Sequence, residues 1–219
     1  MAFFDLDGTL VIGQTQALLV KFLHGAGVVS LPFLLATGLW FLAYEAGLVK
    51  VTQQSREKGA QVLKGLTEPE VERLMIRFTD EIMVPRLHPA ASSALAEHQA
   101  TGDRVVVLSA ALEPVVKALC RRLSVVDYVG AECEVDKEGD RGSYTGRLAG
   151  TMPYGDEKAR VAAGFMRRWG AEPSDCWAYA DHDTDLALMQ SVGHPVAVNP
   201  KPALLAIAKD AGWPILPGL

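Results

Sequence analysis

Short apolar runs that stop abruptly at a polar residue recur along this chain, and they constrain its fold more than any other feature. Ala2–Phe4 stops at Asp5, Val105–Leu108 stops at Ser109, and Cys176–Ala180 stops at Asp181. Runs without polar alternation are the signature of strands buried on both faces. Between them lie stretches of helical pattern, at His88–Gln99, Glu113–Leu123, Asp156–Trp169, Thr184–Ser191 and Ala203–Ala211. Strand and helix in alternation predict an α/β fold, a doubly wound parallel sheet with helices on both faces. Tyr128–Val129, Pro195–Val198 and Pro214–Leu216 supply further strands, and Glu132–Val135 with Tyr144–Leu148 flank a turn over 136–142 as a hairpin.

The alternation is interrupted once, early. From Ala17 to about Phe78 the pattern is helical, broken at Gly25–Gly27, at Pro32 and at Gly65–Pro69, where Thr67 is placed to cap a following helix. The 219 residues suit one α/β unit with an insertion. The expected division is a core of residues 1–13 and 82–219 and a helical cap, inserted after the first strand, of residues 14–81. Within that insertion Val28–Val49 carries a single charge, Glu45, over about the length of a membrane-spanning helix. Pro32, Gly38, Gly47 and Glu45, with no basic residue before it, argue against a span. The stretch is read as helices packed inside a cap or at an oligomer interface, with a surface that meets membrane or lipid as the alternative.

Charge narrows the partners. The 26 acidic and 21 basic residues are dispersed, whereas nucleic-acid binding needs clustered Lys and Arg. Cys120, Cys133 and Cys176 are odd in number and widely spaced, so they predict neither a disulfide framework nor a metal-ligand pattern. With a start, Met-Ala-Phe-Phe-Asp, that lacks a basic segment and a cleavage site, a reducing, cytoplasmic setting is the expectation.

Four polar sites fall where strands end or the following helix begins: Asp5 with Asp7, Ser109 with Ala110, Lys158, and Asp181 with Asp185. Open α/β sheets gather their ligands at such ends. A carboxylate cannot approach a phosphate dianion without neutralising charge, which calls for a lysine and a hard cation such as Mg²⁺. Asp5 and Asp181 offer oxygen ligands of the right hardness. Asp7, two residues along an extended chain from Asp5, is placed to protonate a leaving alkoxide and later to take a proton from water. Gly8 lets the backbone come close to the phosphate. Ser109 offers a hydrogen bond to a phosphoryl oxygen, and Lys158 a mobile point charge.

These residues carry a resemblance. Asp-Leu-Asp-Gly-Thr-Leu, the Val-Val-Val-Leu-Ser109 run, the Lys158 site and Ala180-Asp-His-Asp-Thr-Asp185 resemble, in order, the four motifs of the haloacid dehalogenase superfamily phosphatases. The placement of the helical insertion between the first two is similar to the branch that includes phosphoserine phosphatase. The resemblance implies a Rossmann-like core, a cap, Mg²⁺ and an aspartyl-phosphate intermediate. It matches Asp5 to the nucleophile, Asp7 to the acid/base, Gly8, Ser109, Ala110 and Lys158 to the phosphate site, and Asp5, Asp7, Asp181 and Asp185 to the metal site. Two departures stand out: Ala180 precedes Asp181 where glycine is common, and His182 follows where a small residue is usual. Where phosphoserine-specific members carry a glutamate and a cap arginine, this chain has Gln14 and Gly59, which demotes phosphoserine unless Arg56 or Lys58 replaces the arginine. The expected function is hydrolysis of a small organic phosphate monoester. The alternatives are phosphoryl transfer on the same motifs, or a membrane- or partner-binding protein that uses the apolar cap.

Overall fold

The computed structural model describes residues 1–45, 59–137 and 142–218. Its strands, in chain order, are β1 (Ala2–Phe4), β2 (Val105–Leu112), β3 (Asp127–Ala131), β4 (Cys133–Asp136), β5 (Ser143–Leu148), β6 (Trp177–Ala180), β7 (His194–Val198) and β8 (Ile215–Leu216). The α-helices are α1 (Thr15–Gly25), α2 (Leu31–Glu45), α3 (Glu68–Phe78), α4 (Pro89–Ala100), α5 (Glu113–Arg122), α6 (Asp156–Trp169), α7 (Leu186–Gln190) and α8 (Pro202–Ala211). Six strands form one parallel sheet in the order β3-β2-β1-β6-β7-β8, and β4 pairs with β5 as an antiparallel hairpin. This is the Rossmann-like α/β architecture expected from the alternating runs.

Side chains of adjacent strand residues point to opposite faces, so each apolar run feeds two cores. Phe4, Val105, Val107 and Tyr179 join Leu19 and Leu23 of α1, Met75 of α3, Leu95 of α4 and Val116 of α5. Phe3, Val106, Leu108 and Ala178 join Ala162 and Met166 of α6, Leu188 of α7 and Leu204 of α8. Phe3 and Phe4 are completely buried, each contributing about 1.5–3 kcal/mol of transfer free energy. The central position of β1 follows from this double demand: a three-residue strand is retained where both faces and both edges are covered.

α3 starts where expected. Thr67 caps α3 reciprocally, its backbone N–H donating to Glu70 Oε2 at 2.8 Å, and Pro69 occupies the first turn. The hairpin of β4 and β5 is laced to the chain just before α3. Gly65 N donates to Tyr144 O (2.8 Å), Tyr144 N to Leu66 O (2.9 Å) and Glu68 N to Gly142 O (3.2 Å). Gly146, at φ +82°, lies so close that a β-carbon there would stand 2.9 Å from Lys64 Cβ.

Two expectations change. β2 does not end at Ser109 but runs on to Leu112, because Ala110, Ala111 and Leu112 contain nothing that breaks a strand. Its register against β3 shifts after Leu108, so the irregularity, not a strand end, displays Ser109. The apolar stretch is packed on one side only. Phe33 and Leu34 of α2 pack against the core, while Leu31, Leu35, Leu39 and Leu42 are 52–69% exposed. Residues 46–49 of that stretch, the 138–141 part of the hairpin turn, and Arg56 and Lys58 lie outside the described residues. Among the described residues no helix is long and apolar enough to cross a membrane.

Candidate active site

Parallel pairing of β1 with both β2 and β6 brings the ends of β1 and β6 beside the irregularity in β2. Phe4 is level with Val107 on one side and Tyr179 on the other, so Asp5, Ser109 and Asp181 emerge side by side. Asp5 is held in line by its N–H, which donates to Tyr179 O at 3.0 Å. The chain then turns tightly: Gly8 N donates to Val11 O (2.8 Å) and Val11 N to Leu6 O (2.9 Å). Thr9 Oγ1 reaches back to Asp5 Oδ2 at 3.3 Å.

Gly8 takes φ +81°, and Asp181 presses against it. A β-carbon at residue 8 would lie 2.1 Å from Asp181 Oδ2. Glycine is needed here to seat the opposing carboxylate, a demand the sequence alone did not indicate. Asp7 Oδ1 accepts the N–H of Thr15 at the start of α1. Burial pushes the Asp7 carboxyl up to about 6, against the Thr15 N–H and with help from the Asp5 charge.

Lys158 enters in the first turn of α6 and is 3% exposed. Its Nζ donates to Asp5 Oδ1 at 2.6 Å and to Asp185 Oδ2 at 2.8 Å. Burial opposes its charge, but the two carboxylates outweigh that and hold it protonated. Ser109 is buried, and its Oγ accepts the N–H of Ala111 at 3.0 Å, leaving the hydroxyl hydrogen to donate elsewhere. Asp181, 4% exposed, is pushed up to about 8 by burial and by the Asp5 and Asp185 charges, with Lys201 and Lys158 opposing. Burial likewise raises Asp185, whose Oδ1 is buried without a hydrogen-bond partner.

These features are those of a site short of positive charge. Asp5, Asp181 and the orphaned Oδ1 of Asp185 are the donor chemistry a hard cation takes. No three His, Cys, Asp or Glu side chains among the described residues already gather as a metal cage.

The cleft that unites Asp5, Asp7, Ser109, Ala110, Lys158, Asp181 and Asp185 has a volume of about 110 Å³. That is small beside the ~300–1,000 Å³ of ligand pockets and suits a phosphoryl-sized head group. Its rim is made by Gln14, Tyr154, His182 and Thr184. Sequence reasoning missed Tyr154 and Thr184; the signal for Tyr154 was its place just before Gly155, on the loop that delivers Lys158. His182 does lie at the site's edge. Its Nδ1 is 3.2 Å from the N–H of Thr184 and 2.8 Å from Asp183 Oδ1, and it caps the short 3₁₀ turn Asp183–Asp185. It accepts from the first or, protonated at Nδ1, donates to the second. Gly59 has no side chain to offer, and its carbonyl accepts from Gln16 Nε2 at 3.2 Å. His24, His88, His98 and His194 are not among the residues lining the cleft.

Comparison with known proteins agrees with this geometry. Residues 2–190 match the family model of the haloacid dehalogenase-like hydrolases. A Streptomyces azureus protein called inhibition of morphological differentiation protein is 30% identical over 98% of this chain and 77% of its own. A histidinol-phosphatase of Neisseria meningitidis serogroup C is 27% identical over 99% of this chain and 97% of its own. The fold is shared with a solved phospho-aspartyl intermediate analogue of phosphoserine phosphatase, with a TM-score of 0.69 and 21% identity over 99% of this chain and 91% of that one.

Proposed function

The chain belongs to the haloacid dehalogenase-like hydrolases, as a phosphatase similar to phosphoserine phosphatase, and from that premise we propose that it hydrolyses a small organic phosphate monoester through an aspartyl-phosphate on Asp5. The observation that carries this reading is the buried Lys158, bonded at once to Asp5 and Asp185 in the lining of a phosphoryl-sized cleft. In this reading residues 1–13 and 82–219 are the catalytic core and 14–81 the cap.

The Asp5 carboxylate attacks phosphorus as the bond to the leaving oxygen breaks. Asp7, its pKa lifted towards neutrality, gives its proton to that oxygen and releases the alcohol. Lys158, the Ser109 hydroxyl and the backbone at Ala110 stabilise the charge spread over the transferring group, while the side-chain-free Gly8 keeps the turn beside them open. Asp7, now a carboxylate, takes a proton from a water that attacks the aspartyl-phosphate, freeing phosphate and restoring Asp5. Mg²⁺, held by Asp5, Asp181 and Asp185 with the Asp7 segment beside them, would neutralise phosphate charge.

The substrate's organic part would meet Gln14, Tyr154 and His182, a rim of polar and ring side chains suited to a polar or ring-bearing alcohol. The test is phosphate release from p-nitrophenyl phosphate, histidinol phosphate and phosphoserine with Mg²⁺. Asp5→Asn should lower turnover by at least about 10³-fold. Robust turnover by that variant would refute Asp5 as nucleophile, and a clear preference for phosphoserine would refute the reading of the rim.

A further inference from the structure

α2 carries a surface that the proposed activity does not use. On one side Phe33 and Leu34 pack into the core. On the other, Leu31, Leu35, Leu39 and Leu42 are 52, 58, 69 and 66% exposed, with Pro32, Ala36 and Gly38 exposed among them. From Leu31 to Tyr44 there is no charged residue. A contiguous apolar face of this kind on a water-facing helix marks a contact surface.

Its spacing says what kind of contact. Leu31, Leu35, Gly38 and Leu42 follow the 4-3-4 interval of a helix–helix seam. The face is also complementary to itself. In an antiparallel pair centred between residues 38 and 39, Leu35 lies against the second copy's Leu42, and Leu39, the most exposed of the four, falls over the second copy's Gly38. A β-carbon added at Gly38 would meet nothing within 4 Å, so the space for that leucine is open. Charge disfavours a lipid partner. An interfacial membrane helix carries a cationic polar face, whereas α2 has no polar face and the chain has a net charge of −5. All four leucines are more than half exposed, so the whole face is free to be buried on contact.

We infer that α2 docks antiparallel on α2 of a second copy of this chain, forming a two-fold symmetric dimer through the Leu31–Leu42 face. The test is sedimentation velocity of the full chain over about 1–100 μM, which spans the weak end of protein–protein affinities. The wild-type protein should be a dimer at the upper concentrations. Leu39→Asp should shift it to monomer with its circular dichroism spectrum unchanged. Leu39→Cys, oxidised with copper phenanthroline, should give a disulfide-linked dimer, whereas Val126→Cys, at a distant 83%-exposed position, should not. None of these readouts depends on turnover, so they stand or fall apart from the proposed activity. A monomer at every concentration would overturn the inference, whether residues 46–58 or a phosphatidylcholine–phosphatidylglycerol vesicle proved to cover the face instead. So would a dimer that Leu39→Asp leaves intact.

Discussion

Gly8→Ala is a one-atom test of how this site is assembled. Two separate effects follow from the geometry. At φ +81° a non-glycine residue is strained by about 1–2 kcal/mol, because its β-carbon crowds its own backbone. The new methyl would also stand 2.1 Å from Asp181 Oδ2, and ordinary contact begins near 3.4 Å, so carboxylate and turn must separate by about 1.3 Å. Misplacement on the order of 1 Å in a catalytic constellation lowers rates by about 10²-fold. The expected outcome is a loss of about 2 kcal/mol in urea unfolding, a fall of roughly 4–8 °C in Tm, and turnover of p-nitrophenyl phosphate reduced by about two orders of magnitude. Raising the Mg²⁺ concentration should restore part of the rate, because the displaced carboxylate is one of the assigned ligands. A variant within about twofold of wild type in rate and 0.5 kcal/mol in stability would refute the close seating of Asp181 on the glycine turn.

Other outcomes follow from the buried charges. Lys158→Met leaves Asp5 and Asp185 buried without their shared cation, so stability should fall by about 3–5 kcal/mol near pH 7.5 and turnover should be lost. Because burial already raises the Asp185 carboxyl, the deficit should shrink as pH is lowered and that group protonates; an equal deficit at pH 5 and pH 8 would contradict this. Asp181 is pushed up to about 8 from an ordinary 3.8, so folding without metal favours its protonated form. Its contribution is fully present below about pH 4 and is lost as pH rises through about 8. Adding about 10 mM Mg²⁺ to metal-free protein should therefore raise Tm more at pH 8 than at pH 5; the same increment at both would remove Asp181 from the metal site.

The sheet was legible because strands buried on both faces leave uninterrupted apolar runs, as at Val105–Leu108 and Cys176–Ala180. The site was legible for a related reason: Asp5, Ser109 and Asp181 each break such a run abruptly. The end of β2 was not, since Ala110–Leu112 has no residue that stops a strand and only the pairing with β3 reveals the shift. The seating of Asp181 on Gly8 depends on a contact between distant parts of the chain, to which no local pattern points. α2 was legible only in part. Its leucines read as packed inside a cap or at an oligomer interface, and a helix apolar all round cannot show from composition which side lacks a partner.

The lacing of the β4–β5 hairpin to Gly65–Glu68 makes the helical segment and the hairpin a single mechanical part. Three backbone hydrogen bonds join them, each contributing about 0.5–1.5 kcal/mol, so an outward swing of the segment meets less resistance by carrying the hairpin along than by unzipping it. The hairpin runs directly into the loop bearing Tyr154 and Gly155, and then into the helix that delivers Lys158. The placement of the lysine is thereby tied, through one continuous linkage, to the helical segment. Gly146, whose missing side chain lets the two halves of that linkage mesh against Lys64, becomes a position from which turnover can be altered without touching the phosphate.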